Sequence, residues 1–453
     1  MRLKETKKYT TQEGRTAARS KSSEETLNEI MPTSDRMGVT RLSDITCMDR
    51  LYIPNFSAML PGTVDSIWVY SGKGLTKTDA KVSALMEAIE RYSSLGNTYA
   101  GTIIRGSYSQ LSKTYEKVLR PDELIEPINE EVGENTIMDY LLGYDLISAQ
   151  NVLVPAEIAL YKYTPPQPAI RAFPYSHTNG LAAGNTMEEA ISHALCEVIE
   201  RDALSIAELC SSSIAYTILD RINIEIGKIV NFRKGPLPIG DKFVDDPSLF
   251  PEVDINESDS EPIKVVVRKF ARTGLPVLVK NVTQQDIGVT TFVASCIEWI
   301  THDYGYFARG YGTHPDSETA LLRALTEVSQ TRAANVQGAR DDLKRILYNE
   351  HDEIYKRKWQ FMHPPPSHNM SEKSIVGFNK IKSYMNLDIL DDINLVLSKL
   401  KKGNLDSSIV VDLTKPSIGI PVVRVIVPGL ETFHVTESIM GSRAQKYFKR
   451  IHS

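Results

Sequence analysis

Three segments of the chain share one pattern of apolar and polar positions, which predicts three similar helices. In each segment, apolar residues recur three, four and seven positions apart, as on one face of an amphipathic helix. Each also carries an Ala-Leu-x-Glu core, with a further alanine seven residues before the glutamate. The segments cover residues 74–91, 184–201 and 318–332. Because they lie far apart in the chain, they do not form a solenoid of short adjacent repeats, and we interpret them as three walls of one acidic site.

The other apolar runs predict strands and helices in a mixed order. Runs rich in β-branched and aromatic residues are typical of strands, and a serine followed by acidic residues favours the start of a helix at Ser22. A further helix is predicted at 389–402, before Gly403. The predicted strands lie at residues 66–71, 137–144, 151–155, 263–270, 275–280, 290–295, 409–414 and 422–428, with 263–270 and 275–280 forming a hairpin or adjacent strands. The fold class is therefore α/β or α+β.

Polar and proline-rich stretches predict where the chain leaves its folded core. Residues 1–37 are predicted to form a polar N-terminal arm, extended or partly disordered at its start. The main domain is predicted at 38–453, with a motif-bearing core at about 70–431. The second of the three helices is predicted to continue to about Leu219. Surface segments are predicted at residues 235–262 and 354–374.

The composition excludes several classes of protein. The 453 residues are 42% hydrophobic and 24% charged, as in an ordinary soluble protein, and a net charge of -5 argues against a general nucleic-acid binder. No apolar run approaches the roughly 20 residues that span a bilayer, and the N terminus carries no secretory signal. The four cysteines form no Cys-x-x-Cys pair, and Cys196 and Cys296 are predicted to be buried thiols. We therefore expect a cytoplasmic protein that binds neither nucleic acid nor a membrane.

The acidic residues of the repeats predict a site for a hard cation and a phosphate group. Glu87 and Glu90, like Glu197 and Glu200, lie three residues apart on one helix face. Oxygen ligands suit Mg²⁺, which proteins hold by a few carboxylates together with substrate phosphates. Arginine grips phosphate oxygens in a bidentate manner, and four arginines lie nearby: Arg91, Arg201, Arg323 and Arg332. The pattern indicates a nucleoside triphosphate site built from side chains.

The third copy of the repeat differs from the first two. The first two end in Glu-Arg, whereas the third offers Arg323, Glu327 and Gln330. We therefore expect two helices mainly to hold metal and the third to address the phosphates.

The residues of the repeats also admit interpretations other than a triphosphate site. A single Glu-x-x-Glu-Arg is usually a solvated helix face with local ion pairs, but three copies in one register favour a site. A carboxylate-bridged di-iron bundle needs a histidine three residues after a glutamate, and none of these glutamates has one. The spacing of a P-loop is absent around Lys73. For His193, a structural or hydrogen-bonding role is favoured over catalysis.

Together with their flanking residues, the three copies resemble the signatures of the YcaO superfamily. The matching stretches are Ser71-Gly-Lys-Gly-Leu-Thr with Ser83-Ala-Leu-x-Glu87-x-x-Glu90-Arg91, Asn179-Gly-Leu-Ala-Ala-Gly-Asn185-Thr with Glu189 and Glu197-x-x-Glu200-Arg201, Arg323-Ala-x-x-Glu327-x-x-Gln330-x-Arg332, and the tail 412–431. The motifs occur in the family's order, and the likeness runs from about Gly38 to Glu431.

The resemblance implies a YcaO-type fold of mixed sheets and helices around an ATP-Mg²⁺ site. It also implies an ATP-dependent enzyme that activates a backbone amide of a peptide by phosphorylating its oxygen. Carried over residue by residue, it implies nucleotide contacts from Arg19, Thr26, Ser83, Asn185, Glu189, Arg201 and Arg323. It implies metal ligation by Glu87, Glu90, Glu197, Glu200 and Glu327. Arg19 and Thr26 stand where family members bring a basic residue and a hydroxyl from an N-terminal segment.

Within the family, the chain resembles the archaeal standalone members. Those members use sulfide to thioamidate a glycine of the methyl-coenzyme M reductase alpha subunit, often with a TfuA partner that supplies sulfur. Azoline-forming members often end in Pro-x-Pro-x-Pro, whereas this chain ends in 447–453 without that pattern. The resemblance also suggests a homodimer. Two alternatives stay open: a cyclodehydratase acting on Cys, Ser or Thr of a precursor peptide, and a non-catalytic nucleotide-binding partner of a second, active YcaO.

Overall fold

The structure, a computed structural model, describes most of the chain. It covers residues 1–11, 17–65, 68–210, 232–233, 250–297, 307–338, 361–362, 374–436 and 439–452. The predicted continuation of the second helix to Leu219 lies outside these ranges. So do residues 66 and 67 of the first predicted strand and most of the surface segments predicted at 235–262 and 354–374.

Helices and strands are mixed along the described chain. The helices are α1 (Ser23–Met37), α2 (Lys77–Ser94), α3 (Tyr108–Leu111), α4 (Ala156–Ala159), α5 (Met187–Cys210), α6 (Glu261–Thr273), α7 (Ser317–Gln337), α8 (Ile389–Lys402), α9 (Phe433–Thr436) and α10 (Ser442–His452). The strands are β1 (Arg41–Asp44), β2 (Asn55–Met59), β3 (Val69–Lys73), β4 (Ile104–Gly106), β5 (Ile128–Asn129), β6 (Met138–Asp145), β7 (Gln150–Pro155), β8 (Leu181–Ala183), β9 (Phe232–Arg233), β10 (Glu252–Asp254), β11 (Val277–Asn281), β12 (Thr291–Ile297), β13 (Phe307–Thr313), β14 (Ile375–Gly377), β15 (Ile409–Asp412) and β16 (Val422–Ile426). The α+β class is confirmed. Within the ranges above, no helix combines the length and the apolar character needed to cross a membrane.

The described strands form three larger sheets and one small pair. The first sheet has the antiparallel order β1-β2-β3. The second has the order β4-β6-β15-β16-β8, with β7 paired to β6. The third has the order β13-β12-β11-β10-β14, in which β10 and β14 are parallel. β5 pairs with β9.

The first and third predicted helices, α2 and α7, dock on the strands before them through the same contact. A Cβ on Gly72 of β3 would lie 2.3 Å from the carbonyl oxygen of Ala80. A Cβ on Gly312 of β13 would lie 1.9 Å from the carbonyl oxygen of Ala320. Glycine on the strand and alanine on the helix therefore let the two backbones approach closely. The repeated alanines are explained by packing.

The second predicted helix, α5, has a different setting. It packs against β16 and β8, and also against α8 and α10. Its alanine Ala190 lies in one apolar cluster, whereas Ala80 of α2 and Ala320 of α7 lie in two others. Each helix thus buries its apolar face in a separate core, and the polar faces are left to meet between them.

One predicted strand is wrong. Residues 263–270 lie in helix α6, whose buried residues recur at helical spacing: Pro262, Ile263, Val266 and Phe270. The side chain of Ser260 caps the first turn, and Gly274 ends the helix at a φ of 66°. The run of valines at 265–267 is typical of a strand, but the two caps and the helical burial period outweigh it. The neighbouring prediction at 275–280 is confirmed as β11.

The described residues of the N-terminal arm are fastened to the main body. Lys8 Nζ lies 2.5 Å from Asp392 Oδ2 of α8, and both side chains are almost fully buried. The Tyr9 N–H donates to the Arg19 carbonyl oxygen at 2.7 Å, which folds the arm back on itself. Ser22 caps α1, as predicted. The domain boundary after residue 37 stays a prediction.

Candidate functional site

The acidic residues of α2 pair with the arginine that follows them. Arg91 Nη2 lies 3.6 Å from Glu87 Oε1, and Arg91 Nε lies 3.4 Å from Glu90 Oε1. The guanidinium also lies over the ring of Tyr161, 5.6 Å from its centroid. The Tyr161 hydroxyl donates to the buried Asp65 at 3.2 Å. Two carboxylates and an anchored aromatic ring therefore hold this arginine in place.

Helix α5 repeats this arrangement almost unchanged. Arg201 lies 3.6 Å from Glu197 Oε1 and 3.3 Å from Glu200 Oε1. Its guanidinium lies over the ring of Tyr311 on β13, 5.5 Å from the centroid. Two separate helices thus present the same set of two glutamates and one arginine, and in both cases a tyrosine ring from another part of the chain lies beneath the arginine.

Helix α7 departs from that arrangement. Its glutamate, Glu327, accepts a hydrogen bond from Lys73 Nζ of β3. Arg332 Nε instead donates to the buried Asp49 at 2.8 Å, and Gln330 donates to a main-chain carbonyl of β3. α7 therefore adds one carboxylate to the site, while its other two polar residues brace the elements beside it.

The predicted metal ligands on the three helices share one electrostatic environment. Burial raises the pKa of Glu90, Glu197 and Glu200, and repulsion between carboxylates raises it further. Glu327 on α7 is among the carboxylates that repel Glu197 and Glu200. Charge repulsion therefore couples the five residues that we name the acidic cluster: Glu87, Glu90, Glu197, Glu200 and Glu327. Added positive charge would stabilise all of them.

The predicted nucleotide contacts from the arm converge on the start of α5. Thr26 Oγ1 donates to Asn185 Oδ1 at 3.0 Å. Asn185 Nδ2 donates to both carboxylate oxygens of Glu189 at 3.1 Å. Glu189 also accepts from the N–H and the hydroxyl of Ser20, at 3.0 and 2.9 Å, and so holds the neighbouring Arg19 beside α5. The structure thus brings these residues together.

His193 lies one turn after Glu189 on α5, between the arm and α7. The His193 side chain is exposed to solvent, yet the protein that surrounds it and the cations Arg323, Arg19 and Lys73 lower its pKa below the ordinary value. The imidazole is therefore neutral at pH 7 and suited to hydrogen bonding. Arg323 itself donates to a main-chain carbonyl of β13 at 3.2 Å. Its charge acts on His193, which places Arg323 near this part of α5.

The remaining predicted contact and the predicted buried thiols are also located. Ser83 lies partly exposed on α2, one turn before Glu87. Cys196 and Cys296 are buried, as predicted. Burial raises the pKa of the Cys196 thiol to about 12. At neutral pH this thiol is protonated and a poor nucleophile, although the next residue belongs to the acidic cluster.

The structure adds residues to the site that the sequence pattern does not single out. Lys73 joins the acidic cluster through its ion pair with Glu327. Arg424 of β16 lies fully buried nearby, where burial lowers its pKa to about 10 although carboxylates of the cluster oppose the change. Tyr161 and Tyr311 support the two arginines. Lys73 stands inside a family motif and could have been found there, whereas the tyrosines and their arginines are far apart in sequence.

The donor set of the acidic cluster fits Mg²⁺. Its donors are carboxylate oxygens, which hard cations prefer. Within the described ranges, no three His, Cys, Asp or Glu side chains are close enough to hold a metal ion by themselves, and arginine or lysine pairs with each carboxylate of the cluster. A triphosphate would compete for those cations and would supply further oxygen ligands. The site therefore fits a metal bound together with a phosphate group.

Comparison of the sequence with known proteins identifies related chains. Residues 71–238 and 241–431 match the family model described as "YcaO cyclodehydratase, ATP-ad Mg2+-binding". A protein of Methanothermobacter thermautotrophicus is 33% identical over 421 residues, covering 92% of this chain and 96% of that protein. A protein from a tfuA 3' region of Rhizobium leguminosarum bv. trifolii is 26% identical, covering 90% of this chain and 87% of that protein.

Two solved structures share the fold. YcaO from Methanopyrus kandleri, bound with AMPPCP and Mg²⁺, matches with a TM-score of 0.65 at 23% identity, covering 94% of this chain and 95% of that chain. A heterocyclase in complex with substrate and cofactor matches with a TM-score of 0.69 at 22% identity, covering 96% of this chain but only 55% of that longer chain. ATP and Mg²⁺ are the ligands that the family model names. The chain belongs to the YcaO family of ATP-dependent, amide-activating enzymes.

Proposed function

We propose that this protein uses ATP and Mg²⁺ to convert a backbone amide of a peptide into a thioamide, with sulfide as the nucleophile. One observation carries the proposal: the acidic cluster, two arginines held over tyrosine rings and the Asn185–Glu189 segment converge around α5. The reaction needs these groups because a triphosphate must be held and its γ-phosphoryl group polarised.

A glycine of the methyl-coenzyme M reductase alpha subunit is the substrate we propose. The 33%-identical relative comes from a methanogen, which supports this choice. The relative from a tfuA 3' region supports a TfuA protein as the sulfur-delivering partner. We expect a homodimer, as the resemblance to the family implies.

The proposed reaction consumes one ATP for each thioamide. Sulfide adds to the carbonyl carbon of the amide, and the amide oxygen becomes an oxyanion. The oxyanion attacks the γ-phosphorus, so that an O–P bond forms and ADP leaves. The sulfur then loses its proton and forms the C=S bond, while the C–O bond breaks and phosphate departs with the former amide oxygen. ATP is needed because phosphate is a far better leaving group than hydroxide.

Helix α5 offers a surface on which an extended nucleotide can lie. Glu189, His193 and Glu197 recur every four residues along one face, and Asn185 lies just before the helix begins. The stretch from Glu189 to Glu197 spans about 12 Å at about 1.5 Å per residue. The amide of Asn185 and the hydroxyl of Thr26 lie at its first end, and the acidic cluster with its paired cations lies at its second. We therefore place the nucleoside at the arm and the phosphates at the acidic cluster.

Each group then has a role in the proposed site. The acidic cluster would hold Mg²⁺, which supplies neutralising charge at the γ-phosphoryl group. Arg201 and Arg323 would bind phosphate oxygens in the bidentate manner of guanidinium groups. Arg19, Thr26 and Asn185 would fix the nucleoside end. The protein thus mainly positions the reactants and stabilises charge.

Mass spectrometry tests the proposal directly. The protein is incubated with ATP, Mg²⁺, sulfide and a glycine-containing peptide of the reductase. We expect the peptide to exchange one oxygen for sulfur, with one ADP formed per exchange. The matched control replaces ATP by AMPPCP, whose bridging methylene group blocks transfer of the γ-phosphoryl group. ADP formation without sulfur in the peptide would contradict the thioamide proposal.

An azoline-forming cyclodehydratase is the second candidate, because the matching family model carries that description and a heterocyclase shares the fold. In that reaction a Cys, Ser or Thr side chain of the peptide is the nucleophile, and the product has lost one water. A cysteine-containing peptide assayed without sulfide would reveal it. Loss of water there, with no exchange of oxygen for sulfur in the glycine peptide, would favour this candidate.

A further inference from the structure

Lys73 joins the first and third helices of the site through one ion pair. It is the last residue of β3, and its Nζ donates to Glu327 Oε2 on α7. The glycines on both sides leave no room for a side chain. A Cβ on Gly72 would lie 2.0 Å from a main-chain nitrogen of α2, and one on Gly74 would lie 2.3 Å from an α2 side chain. Close packing on α2 therefore fixes the point from which Lys73 reaches across to α7.

Lys73 neutralises Glu327, as Arg91 and Arg201 neutralise the other glutamates of the acidic cluster. Each of those arginines belongs to the same helix as the glutamates that it neutralises. On α7 the equivalent position is occupied by Thr331, and the next residue, Arg332, donates to a buried aspartate 2.8 Å away. The cation for Glu327 therefore comes from another element.

The contacts that surround the Lys73 side chain differ from those around the two arginines. Arg91 and Arg201 each lie over a tyrosine ring, at 5.6 and 5.5 Å from its centroid. Lysine is a compact charge on a flexible stem, and the side chains of Lys73 and Glu327 remain 21% and 25% exposed. The Lys73 charge also reaches Glu200 on α5, whose pKa it lowers against the larger effect of burial. Lys73 therefore stands among all three helices, on a side chain that is flexible by its chemical nature.

We propose that Lys73 is an exchangeable counter-cation of the nucleotide site. It neutralises Glu327 before Mg²⁺ binds, and it moves onto phosphate oxygens of the nucleotide once Mg²⁺ has replaced it on that carboxylate. The inference rests on the ATP-Mg²⁺ part of the proposed function and not on the peptide or the sulfur. The proposal predicts two effects of opposite sign on affinity. Lys73 competes with Mg²⁺ for the Glu327 carboxylate and so weakens binding of Mg²⁺ alone. It cooperates with Mg²⁺ in holding a triphosphate and so strengthens binding of the nucleotide.

Isothermal titration calorimetry on the full chain tests the two signs separately. Mg²⁺ alone, and AMPPCP with Mg²⁺, are titrated into the wild type, Lys73→Met, Lys73→Arg and Lys77→Met. Lys77 is the matched control, because it begins α2, is 67% exposed and pairs with Asp44 at 2.8 Å, away from the acidic cluster.

We expect Lys73→Met to bind Mg²⁺ alone several-fold more tightly and AMPPCP with Mg²⁺ about tenfold to a hundredfold more weakly. Lys73→Arg should recover most of the affinity for AMPPCP, since it restores the charge. Lys77→Met should match the wild type for both ligands.

A merely structural ion pair gives a different result. The affinities for both ligands would then fall together and the unfolding temperature would fall, which would overturn the proposal. Affinities equal to those of the wild type would overturn it as well.

If Lys73→Met does not fold, the double variant Lys73→Met/Glu327→Gln leaves no unpaired carboxylate and is compared with Glu327→Gln. Equal AMPPCP affinities of these two would overturn the proposal, and weaker binding by the double variant supports it. A wild type that binds no AMPPCP would overturn the proposed function as well, whereas wild-type binding with an unaffected Lys73→Met overturns this inference alone.

Discussion

Helices α2, α5 and α7 resemble one another in two independent ways. α2 and α7 share their docking, since each packs on the preceding strand through a glycine-alanine contact. α2 and α5 share their side-chain arrangement, with arginine-glutamate distances of 3.3 to 3.6 Å and a tyrosine ring about 5.5 Å beneath each guanidinium. Helix α7 therefore resembles α2 in the way it packs on its strand, whereas α5 resembles α2 in its functional side chains.

Packing and chemistry therefore occupy different faces of the same repeat. The alanines face the core and determine how each helix meets its sheet. The glutamates face the cleft, where neighbours from other elements decide what each one pairs with. Helix α7 is the clearest case, because Thr331 stands where α2 and α5 carry their arginine, and the following Arg332 pairs with the buried Asp49 instead of a glutamate. The expected division of labour, with two helices on the metal and one on the phosphates, stays a prediction.

The largest expected effect is the loss of activity when the set shared by α2 and α5 is broken. Glu87→Ala, Glu200→Ala and Arg201→Ala should each lower ATP-dependent modification of the peptide at least about a hundredfold, because each removes charge aimed at the triphosphate or its metal. Arg91→Ala is the matched variant on α2. The rates are compared after circular dichroism has shown native folding. Retained activity in all of these variants would contradict the assignment of the site.

Breaking the arrangement peculiar to α7 should affect stability instead. Arg332→Ala leaves Asp49 buried without its cation, which we expect to lower the free energy of unfolding by about 3 kcal/mol. The rate per folded molecule should change far less than in Arg201→Ala. Urea denaturation measures the first quantity, and Arg332→Lys, which keeps a cation there, is the control. A stable Arg332→Ala variant with no activity would place Arg332 in the chemistry and contradict the comparison.

The C-terminal segment packed on α5 offers a pH-dependent test. Glu431 is fully buried and accepts hydrogen bonds from the N–H groups of Gly441 and Ala444, at 2.7 and 2.8 Å. Beside it, Arg443 pairs with Asp202, which directly follows the arginine of α5. Burial raises the pKa of Glu431 from 4.5 to about 7.

Between those two pH values the native protein holds a proton on Glu431 that the unfolded chain has released. The free energy of unfolding should therefore fall as pH rises through this window, by up to about 3 kcal/mol from this group. Glu431→Gln cannot release a proton and should show a flatter dependence, as measured by urea denaturation at a series of pH values. An unchanged slope in the variant would show that Glu431 is not the titrating group.

The smallest expected effect concerns the rings beneath the two arginines. Tyr161→Leu and Tyr311→Leu should each weaken binding of AMPPCP with Mg²⁺ by a few-fold, since a cation–π contact contributes about 0.5–2 kcal/mol. The Phe variants keep the ring and serve as controls. Similar losses at both positions would support the equivalence of α2 and α5. A loss at only one position would limit that equivalence to geometry.

Elements with complete local signals were predictable. The capped start of α1 at Ser22 and the three helices of the repeat were predicted because capping and helical periodicity act within a few residues. Helix α6 had similar signals in Ser260 and Gly274, but its run of valines favoured a strand. The local signals for this helix were therefore present, and the strand prediction was wrong because the valines outweighed the two caps in it.

The sequence by itself determined the three acidic helices, their chemical class and the family to which the chain belongs, because all of these are written in short, ordered motifs. Only the tertiary structure decided which cation meets which carboxylate. Lys73 and Glu327 are 254 residues apart, and Asp49 and Arg332 are 283 apart. A motif cannot specify such pairs, since electrostatic energy depends on distance in space and on burial, which only the packed fold brings about.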